Sequence, residues 1–343
     1  MEERMALFSS LGFHDSFRMK PQAFRKLLEM MDFDVSSRSH INKETIVGGC
    51  IFALAHRAKY RIIEDTLGIS HSYAHIMLPV VLRSIIRALS HLISFPSDLA
   101  AEKDAWIEDP RSQGRFDEFA GVIGAVDGTL IHFKNPKGME PQSWWCRKGY
   151  NATNAMVVCD AKMRITSFSI GFEGSAHDNR VMSESGLVSR IPQSCFLLGD
   201  AGYALLASKI LVPYRGTRYH LSEFGGRSPT TREELFNLRH SSLRNIVERC
   251  IGRMKGKWRI LDDGIVSSVE RMQLIGFACV CLHNFLLVEN DPLYVIPVEG
   301  EMQGNVEHDA EQADDDMLDS IPWASRNAWR DFIANRMWDA YEH

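Results

Sequence analysis

The stretch Gly121-Val-Ile-Gly-Ala-Val-Asp-Gly-Thr-Leu-Ile-His132 constrains the fold of this chain more than any other. Val122, Ile123, Ala125 and Val126 form a short apolar run, the signature of a buried strand, and the run ends in Asp127-Gly-Thr129. A carboxylate at the tip of a strand that is otherwise core is expensive to desolvate, so it must be solvated, paired or bound to a cation. Gly128 leaves room beside that carboxylate for something to approach closely. An ordinary strand followed by an Asp-Gly turn accounts for the same string. Two more acids downstream, in equally marked settings, tilt the balance.

Around this strand the sequence alternates strands and helices, which points to an α/β domain. Residues 150–160 and 164–172 read as strands joined by a hairpin turn at Asp160-Ala-Lys-Met163. Gly174-Ser-Ala-His-Asp-Asn-Arg180 leads into a short helix reaching Leu187. A buried strand at Cys195-Phe-Leu-Leu198 ends in Gly199-Asp-Ala-Gly-Tyr203, and Ile210–Tyr214 is a fifth strand. Residues 215–240, rich in Gly, Ser, Thr and charge, read as a mobile loop. Helices follow over Ser241–Lys255, where Leu243, Val247, Cys250, Ile251 and Met254 share a face, and over 265–289.

Upstream, residues 1–109 read as helical. Phe24, Leu27, Leu28 and Met31 have helix spacing, and a second helix covers about 43–57. Between Tyr60 and Met77 a short helix reaches Leu67, Gly68 makes a turn, Ile69 packs inward, and Ser70 or Ser72 caps the next helix. This is the helix-turn-helix pattern, whose second helix would enter a major groove; a plain three-helix packing unit gives the same string. Pro79 is expected to kink or restart that helix, and 95–110 reads as a linker. The organisation is thus a helical N-terminal domain (1–109), an α/β domain (110–298), an acidic disordered linker (299–318) and a terminal helix (319–343).

Net charge is −5, which argues against a nucleic-acid partner until it is divided along the chain. Residues 1–109 carry 13 basic and 14 acidic side chains, 110–298 carry 23 and 18, and 299–343 carry 3 and 12. The acidity therefore lies in the tail, and the α/β domain is basic. The seven cysteines are scattered and odd in number, as in a reducing compartment. Cys279, Cys281 and His283 lie within an apolar run and read as buried helix residues more than as metal ligands. The first twenty residues hold Glu2, Glu3 and Asp15 and no apolar core for a secretory signal. No uninterrupted apolar stretch of membrane-spanning length is expected.

Asp127 and Asp200 each end a short apolar strand, and each turn holds a glycine. Glu248 lies on the flank of the 241–255 helix, one turn from Arg244 and Gly252. A surface pair between Glu248 and Arg244 is the plain reading of that position. Hard divalent cations want carboxylate oxygens, and two such ions would activate a water and stabilise the leaving oxygen of a phosphodiester. Seven bases (Arg239, Arg244, Arg249, Arg253, Lys255, Lys257 and Arg259) surround the single acid Glu248, which suits a metal ligand beside the path of a polyanion; a solvated basic helix face is the alternative. Trp144-Trp-Cys-Arg-Lys148 sets adjacent aromatics beside bases. Such tryptophans normally pack; the sharper possibility is that Trp145 stacks on a distorted DNA end, with Arg147 and Lys148 on phosphates.

Asp127-Gly-Thr129, Gly174-Ser-Ala-His-Asp178, Gly199-Asp-Ala-Gly-Tyr203, Asn237-Leu-Arg-His240, Val247-Glu-Arg-Cys-Ile-Gly-Arg-Met-Lys255 and Leu282-His-Asn-Phe285 together resemble the PIF/Harbinger transposases and the nucleases derived from them, from about 10 to 290 and in the right order. The resemblance implies an RNase H-like mixed five-stranded sheet with flanking helices. It implies a DDE triad of Asp127, Asp200 and Glu248 that holds two Mg²⁺ or Mn²⁺ ions and cuts double-stranded DNA. Asp178 matches a family motif and is expected to border the metal site as a fourth ligand, although it could simply cap the helix it precedes. His177 and Arg244 are expected to support the site without binding metal, and Arg249, Arg253, Lys255, Lys257, Trp145, Arg147 and Lys148 to contact DNA. Ile251 departs from the family's usual aromatic. The resemblance further implies a nuclear protein, a Myb-like DNA-binding partner, a possible homodimer and no membrane. The competing reading is a domesticated, catalytically silent module that associates with DNA or chromatin.

Overall fold

The computed structural model describes residues 10–35, 40–107, 116–132, 134, 141–206, 208–219, 221–224, 227–262, 268–291 and 323–342. The acidic stretch 299–316 lies outside them. Helices α1 (Ser10–Phe17), α2 (Pro21–Met30) and α3 (Lys43–His56) open the chain. The segment from Tyr60 onward forms α4 (Tyr60–Leu67) and α5 (His71–Leu89), two helices joined at Gly68. Gly68 takes the left-handed conformation the turn requires (φ +71°), and Ser70 caps α5 by accepting from the Tyr73 amide. Pro79 sits inside α5 without ending it. A further helix, α6 (Leu99–Ile107), occupies what reads as a linker in the sequence. Its Glu102 is buried because it accepts from the Trp106 indole and the Ala161 amide.

The sheet comprises β1 (Val122–His132), β2 (Ala152–Cys159), β3 (Ile165–Glu173), β4 (Phe196–Leu198) and β5 (Ile210–Leu211), in the order β3-β2-β1-β4-β5. β1, β2 and β3 are antiparallel neighbours, whereas β4 and β5 run parallel to β1. A short α7 (Pro141–Trp144) separates β1 from β2, and α8 (Asp178–Ser185) and α9 (Leu187–Arg190) separate β3 from β4. This is a mixed five-stranded sheet with flanking helices, consistent with the RNase H-like class.

β1 does not stop at Asp127. β2 continues to pair with it as far as His132, so the acid is mid-strand. What ends there is the other neighbour: β4 last pairs at Leu198, opposite Ala125. Two residues further along these parallel strands stand Asp127 and Asp200, on one face because strand side chains repeat every second residue. The polar edge of β1 opens where β4 turns away.

After β5 come α10 (Leu221–Phe224), α11 (Arg232–Lys257), α12 (Val269–Val288) and α13 (Trp323–Glu342). α11 starts nine residues before Ser241, capped by Thr231, so much of the expected 215–240 loop is helix. The hidden signal is Asn237. It is fully buried and staples the preceding segment, accepting from the Tyr214 amide at 2.8 Å and donating to the carbonyls of Tyr214 and Arg218 at 3.0 and 3.1 Å. Asn284 does the same for β3: its amide accepts from Ile165 N and donates to Ile165 O, both at 2.8 Å, while also reaching Leu92 O.

One continuous hydrophobic cluster runs from Phe13 and Phe24 through α5 and α12 to β2, β3 and α11, and includes Ile333 and Met337 of α13. The N-terminal helices and the sheet domain therefore share a core. Among the described residues two helices, His71–Leu92 and Val269–Val288, are long and apolar enough on average to cross a membrane, although neither is an uninterrupted apolar stretch. The second has 67% of its apolar window buried by this protein's own core, because α12 is packed between β3 and α5.

Candidate active site

Four carboxylates meet at the opening between β1 and β4. Asp127 and Asp200 arrive in register from the two strands, and each is steadied locally: Gly128 N donates to Asp127 Oδ1 and Gly202 N to Asp200 Oδ1, both at 2.9 Å. Asp178, the first residue of α8, faces them from the side. A methyl group on Gly128 would stand 2.6 Å from Asp178 Oδ1, and one on Gly202 would touch the carboxylates of both Asp178 and Asp200, at 3.4 and 3.1 Å. The two glycines thus leave the space in which the acids converge. The N-cap position of α8 is His177, and Asp178 stands one residue inside the helix, so the plain capping role is not what holds it there. Asn154 of β2 donates to Ala176 O at 3.0 Å and to Asp178 Oδ1 at 3.5 Å, while the Asn179 side chain accepts from Ala204 N at 2.7 Å and ties the Asp200 turn to α8.

The fourth acid arrives on α11. Arg244 donates through Nη1 to Asp127 Oδ2 at 3.3 Å and through Nη2 to Glu248 Oε1. One guanidinium bridges the first and third acids. Its own side chain is 7% exposed, against 19% for Asp127 and 49% for Glu248. Arg244 Nε donates to the Tyr219 hydroxyl at 2.7 Å; that hydroxyl lies 3.5 Å from His240 Nδ1, and His240 Nε2 contacts Leu211 O of β5 at 3.0 Å. Burial opposes the charge on Arg244, yet Tyr219, Asp127, Glu248 and Asp200 outweigh it and hold the guanidinium firmly protonated. Burial keeps His240 neutral, its pKa lowered to about 3.

Burial pushes the Asp127 carboxyl up to about 7; Arg244 restrains the rise, and Asp200, Glu248 and Asp178 add to it. Asp178 is also raised, first by burial and then by Asp200, with Asn154 and Arg147 pulling the other way. The Tyr203 hydroxyl is buried within the field of Asp178, Asp127 and Asp200 and has no hydrogen-bond partner among the described residues. Crowded hard oxygens that depress one another's ionisation, beside an orphaned hydroxyl and two glycine gaps, are the donor set a Mg²⁺ or Mn²⁺ ion suits. Among the described residues no three His, Cys, Asp or Glu side chains stand close enough to grip an ion as they are. The Arg244 cation occupies the Asp127–Glu248 side of the cluster.

The sequence-expected DNA contacts divide. Arg147 and Lys148 are exposed, and Arg147 is near enough to influence Asp178. Arg249 and Arg253 are half-buried on α11. Lys255 and Lys257 do not face a polyanion. Lys255 Nζ donates to Leu130 O at 2.8 Å, bracing α11 against β1. Lys257 is 1% exposed, turned inward near Asp291 and Arg18, and burial lowers its pKa to about 8. His177 is exposed and lowers the Asp178 pKa without making a cap bond. Cys279, Cys281 and His283 are buried on α12; His283 Nε2 contacts Met163 O at 2.9 Å, a hairpin anchor and not a metal site. Asn154, Asn179 and Tyr219 have no role in the sequence reading, and Tyr203 and His240 enter it only as motif residues without one. Asn179 could have been found from its place directly after Asp178, whereas Tyr219 carries no local signal.

Residues 126–284 match the family model described as DDE superfamily endonuclease, a span that holds all four acids, Arg244 and Asn284. The chain is also similar to the rat protein named "Putative nuclease HARBI1", 29% identical over 261 residues that cover 72% of this chain and 68% of the relative. Residues 126–284 therefore resemble a DDE superfamily endonuclease, and the chain as a whole is similar to this Harbinger-type nuclease relative. The human protein of the same name is 26% identical over 260 residues, with the same shares covered. A protein of Arabidopsis thaliana named "Protein ALP1-like" is 26% identical over 254 residues, 67% of this chain and 57% of the relative. No solved structure matches the chain. The Harbinger-type motifs now have distinct jobs: the three Asp motifs and Glu248 bring carboxylates together, while Asn237, His240, His283 and Asn284 fasten the backbone that carries them.

Proposed function

We propose that this chain is a divalent-metal-dependent DNA endonuclease of the DDE type. The observation that supports it most is the convergence of Asp127, Asp178 and Asp200 on one face, with Glu248 joined to Asp127 through Arg244. Asp127, Asp200 and Asp178 would hold Mg²⁺ or Mn²⁺, and Glu248 would join them once Arg244 lets go. Bound there, two divalent ions supply an activated water and a charge to stabilise the leaving oxygen. The chain's own part is to aim and to keep protons. Asp127, with its raised pKa, carries a proton at its carboxyl near neutral pH until a cation displaces it. Arg147, Lys148, Arg249 and Arg253 offer positive charge to the phosphates of double-stranded DNA. In this reading the protein acts in the nucleus beside a Myb-like DNA-binding partner, possible as a homodimer, and α4–Gly68–α5 serves as a helix-turn-helix. The test is nicking of supercoiled plasmid with Mn²⁺. Wild type is expected to nick and Asp200→Asn to lose at least a hundredfold in rate; equal rates would remove the nuclease reading.

A second reading has an observation of its own. Arg244 neutralises two of the four acids, which suits a chain that has stopped cutting and serves as a DNA- or chromatin-associated module. Absence of nicking by a wild type that still binds DNA would select it.

A further inference from the structure

Trp144 and Trp145 are adjacent, and the fold treats them oppositely. Trp144 is buried, whereas Trp145 is 55% exposed, an unusual state for the largest apolar side chain. The exposure is not slack in the chain. Trp145 N donates to Gln142 O at 3.2 Å, the residue forms an antiparallel bridge with Asn151, Cys146 N donates to Tyr150 O at 2.9 Å, and Gly149 turns the loop with φ +79°. This loop is fastened to the segment that delivers Asp178. Ser175 donates to Ser143 O through both its amide and its hydroxyl, at 3.3 and 2.8 Å, and Gly174 packs so closely under Trp144 O that a methyl group there would come within 2.7 Å of it. The backbone that carries the indole is therefore fastened to the segment that delivers Asp178, and the exposed cations Arg147 and Lys148 follow it directly.

An exposed aromatic on an anchored backbone, next to two cations and tied to the segment of an acid cluster, matches one ligand chemistry: a flat apolar ring attached to a phosphate chain. We propose that Trp145 is a stacking platform for an unpaired nucleobase at a DNA end, with Arg147 and Lys148 on the adjoining phosphates. The proposal rests on the nuclease reading and adds to it a preference for ends whose terminal bases are unpaired. A base paired within the duplex offers only its edge, and at a blunt end only the outer face of the terminal pair is open, held in the plane of the helix end, whereas an unpaired base is free to turn its face onto the indole.

The experiment measures binding of the full chain in EDTA, which keeps the DNA uncut. Fluorescence anisotropy compares a blunt duplex with the same duplex carrying three unpaired terminal nucleotides. A 2-aminopurine at the unpaired position reports stacking by loss of its fluorescence. Wild type is expected to prefer the unpaired end about tenfold, the size of one base–aromatic stack, and to quench the probe. Trp145→Ala is expected to bring that ratio to about one and to abolish quenching, while Trp145→Phe restores part of both; a thermal melt confirms that each variant is folded. An unchanged ratio and unchanged quenching in Trp145→Ala overturn the proposal. So does a wild type that binds both DNAs equally, or a Trp145→Ala variant that alters only the oligomeric state. These leave the nuclease reading standing. Failure of wild type to bind either DNA at low salt sinks both.

Discussion

Replacing Arg244 with glutamine tests the electrostatics of the site more sharply than replacing any acid. The substitution keeps a donor near the place of Arg244 Nε, within reach of the Tyr219 hydroxyl, and deletes the longer-reaching charge that Asp127 and Glu248 share. Removing one partner of a fully buried ion pair costs about 3–5 kcal/mol. Here the loss is smaller. Glu248 is half exposed, so its share is worth only tenths of a kcal/mol. Asp127 is a fifth exposed and can take up a proton once the guanidinium is gone. Roughly 2–3 kcal/mol remains. A chain of 343 residues unfolds with an entropy of about 0.7 kcal/mol per kelvin, so the melting temperature in EDTA should fall by about 3–4 °C. Manganese then separates this account from a purely structural one. In wild type an incoming ion must displace the guanidinium, whereas in Arg244→Gln it meets bare carboxylates, so saturating Mn²⁺ should raise the variant's melting temperature by more than it raises the wild type's. Differential scanning calorimetry at fixed pH reads both quantities. A variant that melts with wild type in EDTA, or gains no more than wild type from Mn²⁺, refutes the reasoning.

Two other outcomes follow from the same geometry. Asp127 binds its proton more tightly in the folded chain than in the unfolded one, so the stability it contributes is complete below about pH 4 and is lost as pH rises toward 7. Asp127→Asn should therefore gain on metal-free wild type across that window in thermal melts, and parallel curves would contradict it. Lys257 has the opposite sign: its lowered pKa means that the folded protein gives up the proton first, so stability increases as pH rises from about 8 toward 10. In Lys257→Met that increase should vanish, while the salt dependence of DNA binding stays as in wild type; a shallower salt slope would show Lys257 on a phosphate after all.

The acids were legible because each breaks a local rule. Asp127 and Asp200 interrupt apolar strand runs, and Asp178 opens a helix, so each stands out from its neighbours. Their mutual register was not legible, because it depends on where β4 leaves β1 at Ala125 and Leu198, a long-range pairing. The start of α11 was hidden for a related reason. Its N-terminal part buries Asn237 and His240 beside Leu235 and Phe236, and buried polar residues erase the apolar period. The linker expected at 95–110 holds α6 because Glu102 is satisfied by Trp106 and by Ala161, 59 positions away. Lys255 and Lys257 were misjudged because a run of bases on a helix says nothing about which of them turn inward. Arg244 shows the same limit from the other side. A surface pair with Glu248 at helical spacing was legible, but its second partner, Asp127, lies 117 positions away.

The central claim is that the carboxylates of Asp127 and Asp200 form a cation site from which Arg244 can be displaced. Crystals of the metal-free protein soaked in Mn²⁺, with anomalous difference maps recorded before and after, address it directly. The account expects a manganese peak between Asp127 and Asp200, with the Arg244 guanidinium withdrawn from Asp127. A map with no peak at saturating Mn²⁺, and with Arg244 still bridging Asp127 and Glu248, would contradict it.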